Sequence, residues 1–246
     1  MVRWVAAAKP SVDEPSGRRD NPHQQETTMT TIGIIGAGEV GSQIARAAIR
    51  VGHSVVIANS RGPETLAALV ADLGPSARAA TAAEAARAGD VVVLAAPLKA
   101  VNDMPADDVA GKIVLDTNNY MPWRDGFIPG VSTGEVTVHE LRQQQLPRSM
   151  IVKAFTHIQA PTLLRTARPV GAENRLALTL SSDFPAAAAF VARFYDEIGY
   201  DPYDNSPLSE SWRDGPGTPV WQQSLSGGQT LAPLARRLAA ATRAVD

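Results

Sequence analysis

Three glycines, Gly36, Gly38 and Gly41, stand in the spacing G-x-G-x-x-G within TIGIIGAGEVGS, residues 31–42. In the run Gly36-Ala37-Gly38-Glu39-Val40-Gly41 each glycine meets a separate need of dinucleotide binding. The first makes a tight turn after a strand, the second lets backbone approach a pyrophosphate, and the third lets helix and strand pack closely. The N–H groups and positive end of the following helix receive the phosphates. Glycines also mark ordinary turns, but an apolar run precedes these and a helical pattern follows. NAD-specific units place an acid at the end of the second strand for the ribose 2′-hydroxyl. This chain has Asn59, Ser60 and Arg61 there, and no acid. A guanidinium pairs with a 2′-phosphate through charge-assisted bonds, and a hydroxyl adds another. The expected cofactor is therefore NADP, with a solvated turn as the competing reading of Arg61.

Other polar residues cluster where strands end. Ala96 and Pro97 follow the run DVVVLA, and their small size would let a nicotinamide ribose approach the backbone. Lys99 either reaches the cofactor or faces water. Asn118 and Asn119 follow KIVLD; their carboxamides donate and accept, suiting a carboxamide or ribose, or they cap a turn. Thr156, His157 and Gln159 follow MIVKAF. If the acceptor is a ketone or imine, a proton donor is required, and His157 is the candidate catalytic residue, against a purely structural role. No metal site is expected: the chain lacks cysteine, and its four histidines form no H-x-x-x-H pair.

The elements that must position these residues follow from periodicity. Strands are expected near 32–35, 54–58, 77–80, 90–95, 112–116 and 150–155, and the continuous apolar runs suit a parallel sheet covered on both faces. Helical stripes fall between them: Val40, Ile44, Ala47, Ala48 and Val51, then Leu66, Leu69, Val70 and Leu73 after Pro63. Thr81 to Glu84 and Ser132 to Glu135 resemble capping boxes. Residues 120–131 read as an irregular loop with three aromatics, either covering a substrate or packing as a connector. This is an α/β pattern: a Rossmann-type doubly wound sheet over 29–160, with a small α/β unit over 161–219 built from a strand at 175–180, a helix at 184–198 and a short strand at 200–204. Residues 206–217 read as a loop. The tail, 220–246, carries a helix near 230–243 whose apolar stripe packs on the body or on a second copy, so a homodimer is expected. Residues 1–28 are rich in Pro and small polar residues and read as a disordered or dispensable extension, with Met29 as the natural start.

With 44% hydrophobic and 20% charged residues the chain has an ordinary globular composition. A formal net charge of -2 and a pI of about 6.1 give no basic field for nucleic acid. No apolar run approaches the roughly 20 residues that span a bilayer. The absence of cysteine fits a reducing cytoplasm.

Taken together, GIIGAGEVG, ANSRGP, DVVVLAAP, VLDTNNY, VKAF and PLSESWRDGPGTP resemble the NADPH-dependent coenzyme F-420 reductases (deazaflavin:NADP oxidoreductases) from about Ile32 to Pro219. The resemblance implies hydride transfer between a nicotinamide and a deazaflavin, with coenzyme F-420 as co-substrate in a cleft beside the small unit. It also implies that Gly36, Gly38 and Gly41 hold the pyrophosphate and Ser60 and Arg61 the 2′-phosphate. Ala96 and Pro97 would line the nicotinamide, near Asn118 and Asn119. Relatives commonly carry an Asn-rich sequence after KAF, where this chain has Thr156 and His157. Arg124, Lys153, Arg165 and Arg168 are candidates for the acidic tail of F-420. The rival readings are a reductase of a small ketone or imine, and an NADPH/NADP-sensing protein without turnover.

Overall fold

The computed structural model describes residues 29–98 and 106–243. The extension 1–28 and Lys99 lie outside the described residues. The chain opens with β1 (Thr31–Ile35), α1 (Glu39–Arg50) and β2 (Ser54–Ala58). A 3-10 turn (Pro63–Leu66) leads into α2 (Ala67–Leu73), then β3 (Ala77–Ala79), α3 (Ala82–Ala88) and β4 (Val91–Leu94). The second half runs β5 (Ile113–Asp116), α4 (Pro122–Asp125), α5 (Val138–Gln145), β6 (Met150–Lys153) and α6 (Leu163–Thr166). It closes with β7 (Ala177–Ser182), α7 (Pro185–Ile198), β8 (Asp201–Asp204), a 3-10 helix (Leu208–Asp214), α8 (Pro219–Ser224) and α9 (Leu231–Ala240).

Among the described residues the strands form one eight-stranded sheet in the order β3-β2-β1-β4-β5-β6-β7-β8. Strands β1 to β6 pair in parallel; β7 turns antiparallel to β6, and β8 runs parallel to β7. Helices cover both faces, as continuous apolar strands require. Period-2 alternation sorts side chains between layers. Ile32, Ile34, Val91 and Val93 join Ile44, Val191 and Phe194 on one face, whereas Ile35, Val92 and Leu94 join Leu146 and Leu208 on the other. The parallel register fixes a single functional edge. Ile35 lies beside Ala58 and Leu94, Leu94 beside Asp116, and Asp116 beside Lys153. The strand-end motifs therefore begin just beyond a common row, Gly36 and Asn59 one residue past it, Ala96 and Asn118 two, and Thr156 three.

The α/β doubly wound class agrees with the sequence expectation; several local boundaries differ. The segment after Pro63 starts as a 3-10 turn rather than as α-helix. The capping box expected at Ser132 to Glu135 lies instead at Thr137 and Glu140. Gly134 holds φ at 73°, outside helical geometry, while Ser132 is taken up by Tyr120 and the Ile128 amide. Residues 206–217 are ordered rather than an open loop, because Leu208 enters the core and Asp214 is fully buried. Strand β7 begins two residues later than expected. That shift keeps the same residues facing the core, since strand faces repeat every two residues, and it frees buried Arg175 to pair with Asp196 and Asp201 at 2.7 and 2.8 Å. Residues 161–219, expected as a smaller unit, contribute β7 and β8 to the same sheet.

Gly33, in mid-strand, carries a packing role that the glycine motif does not announce. A Cβ there would sit 2.2 Å from the Ala85 carbonyl oxygen of α3. Gly33→Ala should therefore push α3 off β1 and cost about 1–3 kcal/mol. Gly38→Ala, with φ at -75° and nothing within 4 Å of the new methyl, should change stability by less than about 0.5 kcal/mol. Urea unfolding of both variants measures the contrast; equal losses would refute this account of Gly33.

Candidate active site

The glycine turn is built by close backbone approach. Gly36 donates to the Ala58 carbonyl at 2.9 Å and has φ at 112°. A Cβ on it would meet the Ala95 carbonyl and the Ala96 nitrogen at 2.4–2.6 Å. A Cβ on Gly41 would lie 1.8 Å from the Gly36 oxygen. These two glycines are required by the protein's own packing. Gly38 is different: it is exposed, caps α1 without a side-chain bond, and its Cβ would meet nothing. It therefore leaves a smooth backbone surface at the positive end of a 12-residue helix, which fits a pyrophosphate. Ala37 and Val40 are half-buried, and Glu39 is exposed in the first turn of α1.

At the end of β2, Asn59 works on the loop itself. Its Nδ2 donates to Thr65 Oγ1 at 2.8 Å, and its Oδ1 accepts the Arg61 amide at 3.0 Å. The neighbouring Ser60 and Arg61 are exposed, and Arg61 forms no ion pair among the described residues. Beyond β4, Ala96 is half-buried with its backbone nitrogen against the glycine turn, and Pro97 is exposed. Beyond β5 the two asparagines part company. Asn118 is buried, with its amide and Nδ2 both donating to Asp116 Oδ1. Asp116 in turn pairs with Arg142 at 3.3 Å, both fully buried. Asn119 donates from Nδ2 to the Thr156 carbonyl at 2.8 Å and lines a cavity.

That cavity, about 280 Å³, lies at the same sheet edge. Its walls come from Asn119 and Tyr120, from Val131, Ser132, Gly134 and residues 136–139, from Lys153, from Ser211, Trp212 and residues 215–218, and from Thr242 and Arg243. The 3-10 helix supplies one wall and the start of α5 another, and Thr137 Oγ1 ties them by donating to the Leu208 carbonyl at 3.2 Å. Lys153, at the end of β6, forms a buried ion pair with Asp214 and donates to the Ser211 carbonyl. Asp214 also accepts from Thr156 and Thr179. Burial pulls the Lys153 ammonium below its usual range. Burial alone would raise the Asp214 carboxyl, but the Lys153 charge and the Lys153 and Thr179 bonds hold it below the ordinary carboxylate value. Of the aromatic loop, Tyr120 borders the cavity, whereas Trp123 and Phe127 are 83% and 73% exposed.

His157 is not placed to donate a proton. It is buried, lies outside the cavity lining, and its Nε2 accepts the Thr179 amide at 2.9 Å. Burial lowers its pKa to about 4, so at neutral pH the ring is uncharged. The four basic candidates for an acidic ligand are also engaged: Lys153 with Asp214, Arg124 with Asp125, Arg165 and Arg168 with nearby backbone carbonyls. The residues that sequence reasoning missed are His139, Ser211, Asp214 and Trp212. They lie on segments far apart in the chain, with no strand-end motif to mark them; only the fold gathers them. Among the described residues no cluster of His, Asp or Glu suits a metal, and no helix is long and apolar enough to cross a membrane.

The doubly wound parallel sheet with a glycine-rich turn after β1 is a Rossmann-type architecture. The sequence model for "NADP oxidoreductase coenzyme F420-dependent" matches residues 31–120. Protein SMa0349 of Sinorhizobium meliloti is 31% identical in a crystal structure with a TM-score of 0.62, covering 76% of this chain and 89% of that one. An F420-dependent NADP-reductase candidate from Arthrobacter sp. FB24 is 24% identical with a TM-score of 0.63, covering 86% and 94%, which establishes a shared fold. YjhV of Escherichia coli (strain K12) is 37% identical over 53 residues, 22% of this chain, and the match spans about two fifths of that relative, 39%. The chain belongs to the coenzyme F420-dependent NADP oxidoreductase family.

Two buried histidines make stability acid-sensitive. His139, like His157, has its pKa lowered to about 4 from 6.5, chiefly by burial. Each binds a proton more readily when unfolded, so its contribution is full above pH 6.5 and is lost as pH falls toward 4. From pH 7 to pH 5 the loss should be about 2 kcal/mol per histidine. Denaturant unfolding of His157→Gln should show roughly half the pH slope of the parent over that range; an unchanged slope would show that His157 does not contribute.

Proposed function

We propose that this enzyme transfers a hydride between NADPH and a deazaflavin acceptor of the coenzyme F-420 kind. The observation that carries this reading is the cavity at the ends of β5 and β6, in the same strand-end row as the glycine turn two strands away, with Asn119 on its wall. Gly36, Gly38 and Gly41 would hold the pyrophosphate, with Gly38 as the bare surface, and Ser60 and Arg61 the 2′-phosphate. Asn59 would shape that loop from within. Ala96, Pro97 and Asn119 would border the nicotinamide end, while Asn118 sets the course of the chain from inside.

When bound, the nicotinamide supplies the hydride. The chain's share is to bind, orient and exclude water, which are the principal demands of transfer between two rings. The aromatic Tyr120 and Trp212 on the cavity wall suit a flat ring. The buried, neutral His157 speaks against the proton-donor version of a ketone or imine reductase.

The direct test mixes protein, NADPH and coenzyme F-420 and follows the absorbance of both. Parallel loss is expected; no exchange at any pH, with NADPH bound, would sink the proposal and favour a sensing role. Arg61→Ala should raise KM for NADPH about 10- to 100-fold, the worth of one or two charge-assisted bonds. KM for NADH should hardly move, and an equal rise for both nucleotides would refute the 2′-phosphate assignment.

A further inference from the structure

Among the described residues, one cation on the cavity wall has no partner in the protein. Arg243 follows the end of α9, lines the cavity and is exposed, so it stands where the cavity opens to water. Its guanidinium makes no ion pair or hydrogen bond among the described residues. A Cβ built on Gly134 would lie 3.8 Å from the Arg243 Nε, so the guanidinium sits beside the wall that holds Val131, Ser132 and Gly134. No acidic side chain lines the cavity among the described residues. Lys153 is neutralised by Asp214, and burial keeps His139 uncharged at neutral pH. Around the rim, Arg213 pairs with Glu210 and Arg124 with Asp125. Glu135 is exposed and lies outside the lining, with its carboxylate beside Gly130. The Arg243 charge is therefore the uncompensated one on this wall. The basic residues that the sequence offered for an acidic ligand, Arg124, Lys153, Arg165 and Arg168, are each held by the protein itself.

We propose that Arg243 makes the cavity select an acceptor that carries an anionic group, a carboxylate or a phosphate, outside its ring system. A guanidinium presents a planar fork of N–H donors that matches either anion. The cavity, about 280 Å³, is at the small end of ligand sites, which run to about 300–1,000 Å³. It takes a ring and leaves a substituent directed to water, which is where Arg243 stands. A neutral ligand leaves the guanidinium hydrated at no cost, so the outcome is a preference and not an exclusion. Water and salt screen an exposed charge, which limits the preference to about three- to tenfold. This selectivity rests on reading the cavity as the place of the hydride acceptor. It brings into the site a residue beyond PLSESWRDGPGTP, the last of the sequence motifs. The phosphates of the cofactor offer the same chemistry, so the test separates the two sources.

The protein, saturated with NADP+, is titrated calorimetrically at low salt with three compounds that share one ring. They are 5-deazariboflavin, which is neutral, its 5′-phosphate and its 5′-hemisuccinate, which adds a carboxylate. The parent should bind the anionic compounds about three- to tenfold tighter than the neutral one, and the preference should shrink at about 0.5 M salt. Arg243→Ala should remove the preference, while binding of the neutral compound and of NADP+, measured separately, stays within about twofold. Arg243→Lys should keep part of it, as a charge without the fork. Substitution at this exposed position beyond α9 should leave folding intact. A preference for just one of the two anions supports the inference and identifies the group. Equal affinity for neutral and anionic compounds, a preference that survives Arg243→Ala, or no binding of any of the three would overturn it. So would a parallel loss of NADP+ affinity, which would put a cofactor phosphate at Arg243. If the parent prefers the anions yet never exchanges hydride between NADPH and F-420, the proposed reaction fails and the selectivity stands. Exchange with an unchanged KM for F-420 in the Arg243→Ala variant would remove only the selectivity.

Discussion

The buried pair of Lys153 and Asp214 holds the site together. Lys153 ends β6 in the row of strand ends, and Asp214 closes the 3-10 helix some sixty residues later. Both are shut off from water. A buried ion pair gains little over an apolar one, but losing one partner leaves an uncompensated charge at a cost of about 3–5 kcal/mol. The pair therefore acts as a register pin. It draws Ser211 and Trp212 to the sheet edge, where they become a cavity wall, while Asp214 also gathers Thr156, just past β6, and Thr179 of β7.

A second buried pair works on the other side. Asp116 pairs with Arg142 and accepts twice from Asn118, so the chain leaving β5 is steered at a fixed angle and Asn119 is delivered to the cavity. The two pairs bracket His139, and burial leaves its ring uncharged. The outcome is a cavity at the ends of β5 and β6 whose lining includes the paired Lys153 and also Arg243.

The dinucleotide half was legible because its constraints are local. Gly36 needs a positive φ and Gly41 a bare Cα, and both needs appear as glycines at fixed spacing. The apolar runs of β1, β2, β4 and β5 announce a buried parallel sheet, and Thr81 with Glu84 announces the start of α3. Asn59, Asn118 and His157 show the limit of such reading. Position at a strand end identified them, yet side-chain direction decided their work, and all three bond to the protein itself. Gly134 misled in another way, since Ser132 to Glu135 has capping residues but a backbone turned out of helical geometry.

Sequence alone determined the class of fold, the glycine turn after β1 and the basic character of the loop after β2, because each depends on residues within a few positions of one another. Tertiary structure alone decided the cavity. His139, Lys153, Ser211 and Trp212 have no common motif and meet only because β6 ends beside β5, α5 packs behind it and the 3-10 helix folds back across the edge. Whether a histidine is charged, and whether its nitrogens are met, depends on burial by those distant segments. No spacing along the chain encodes that.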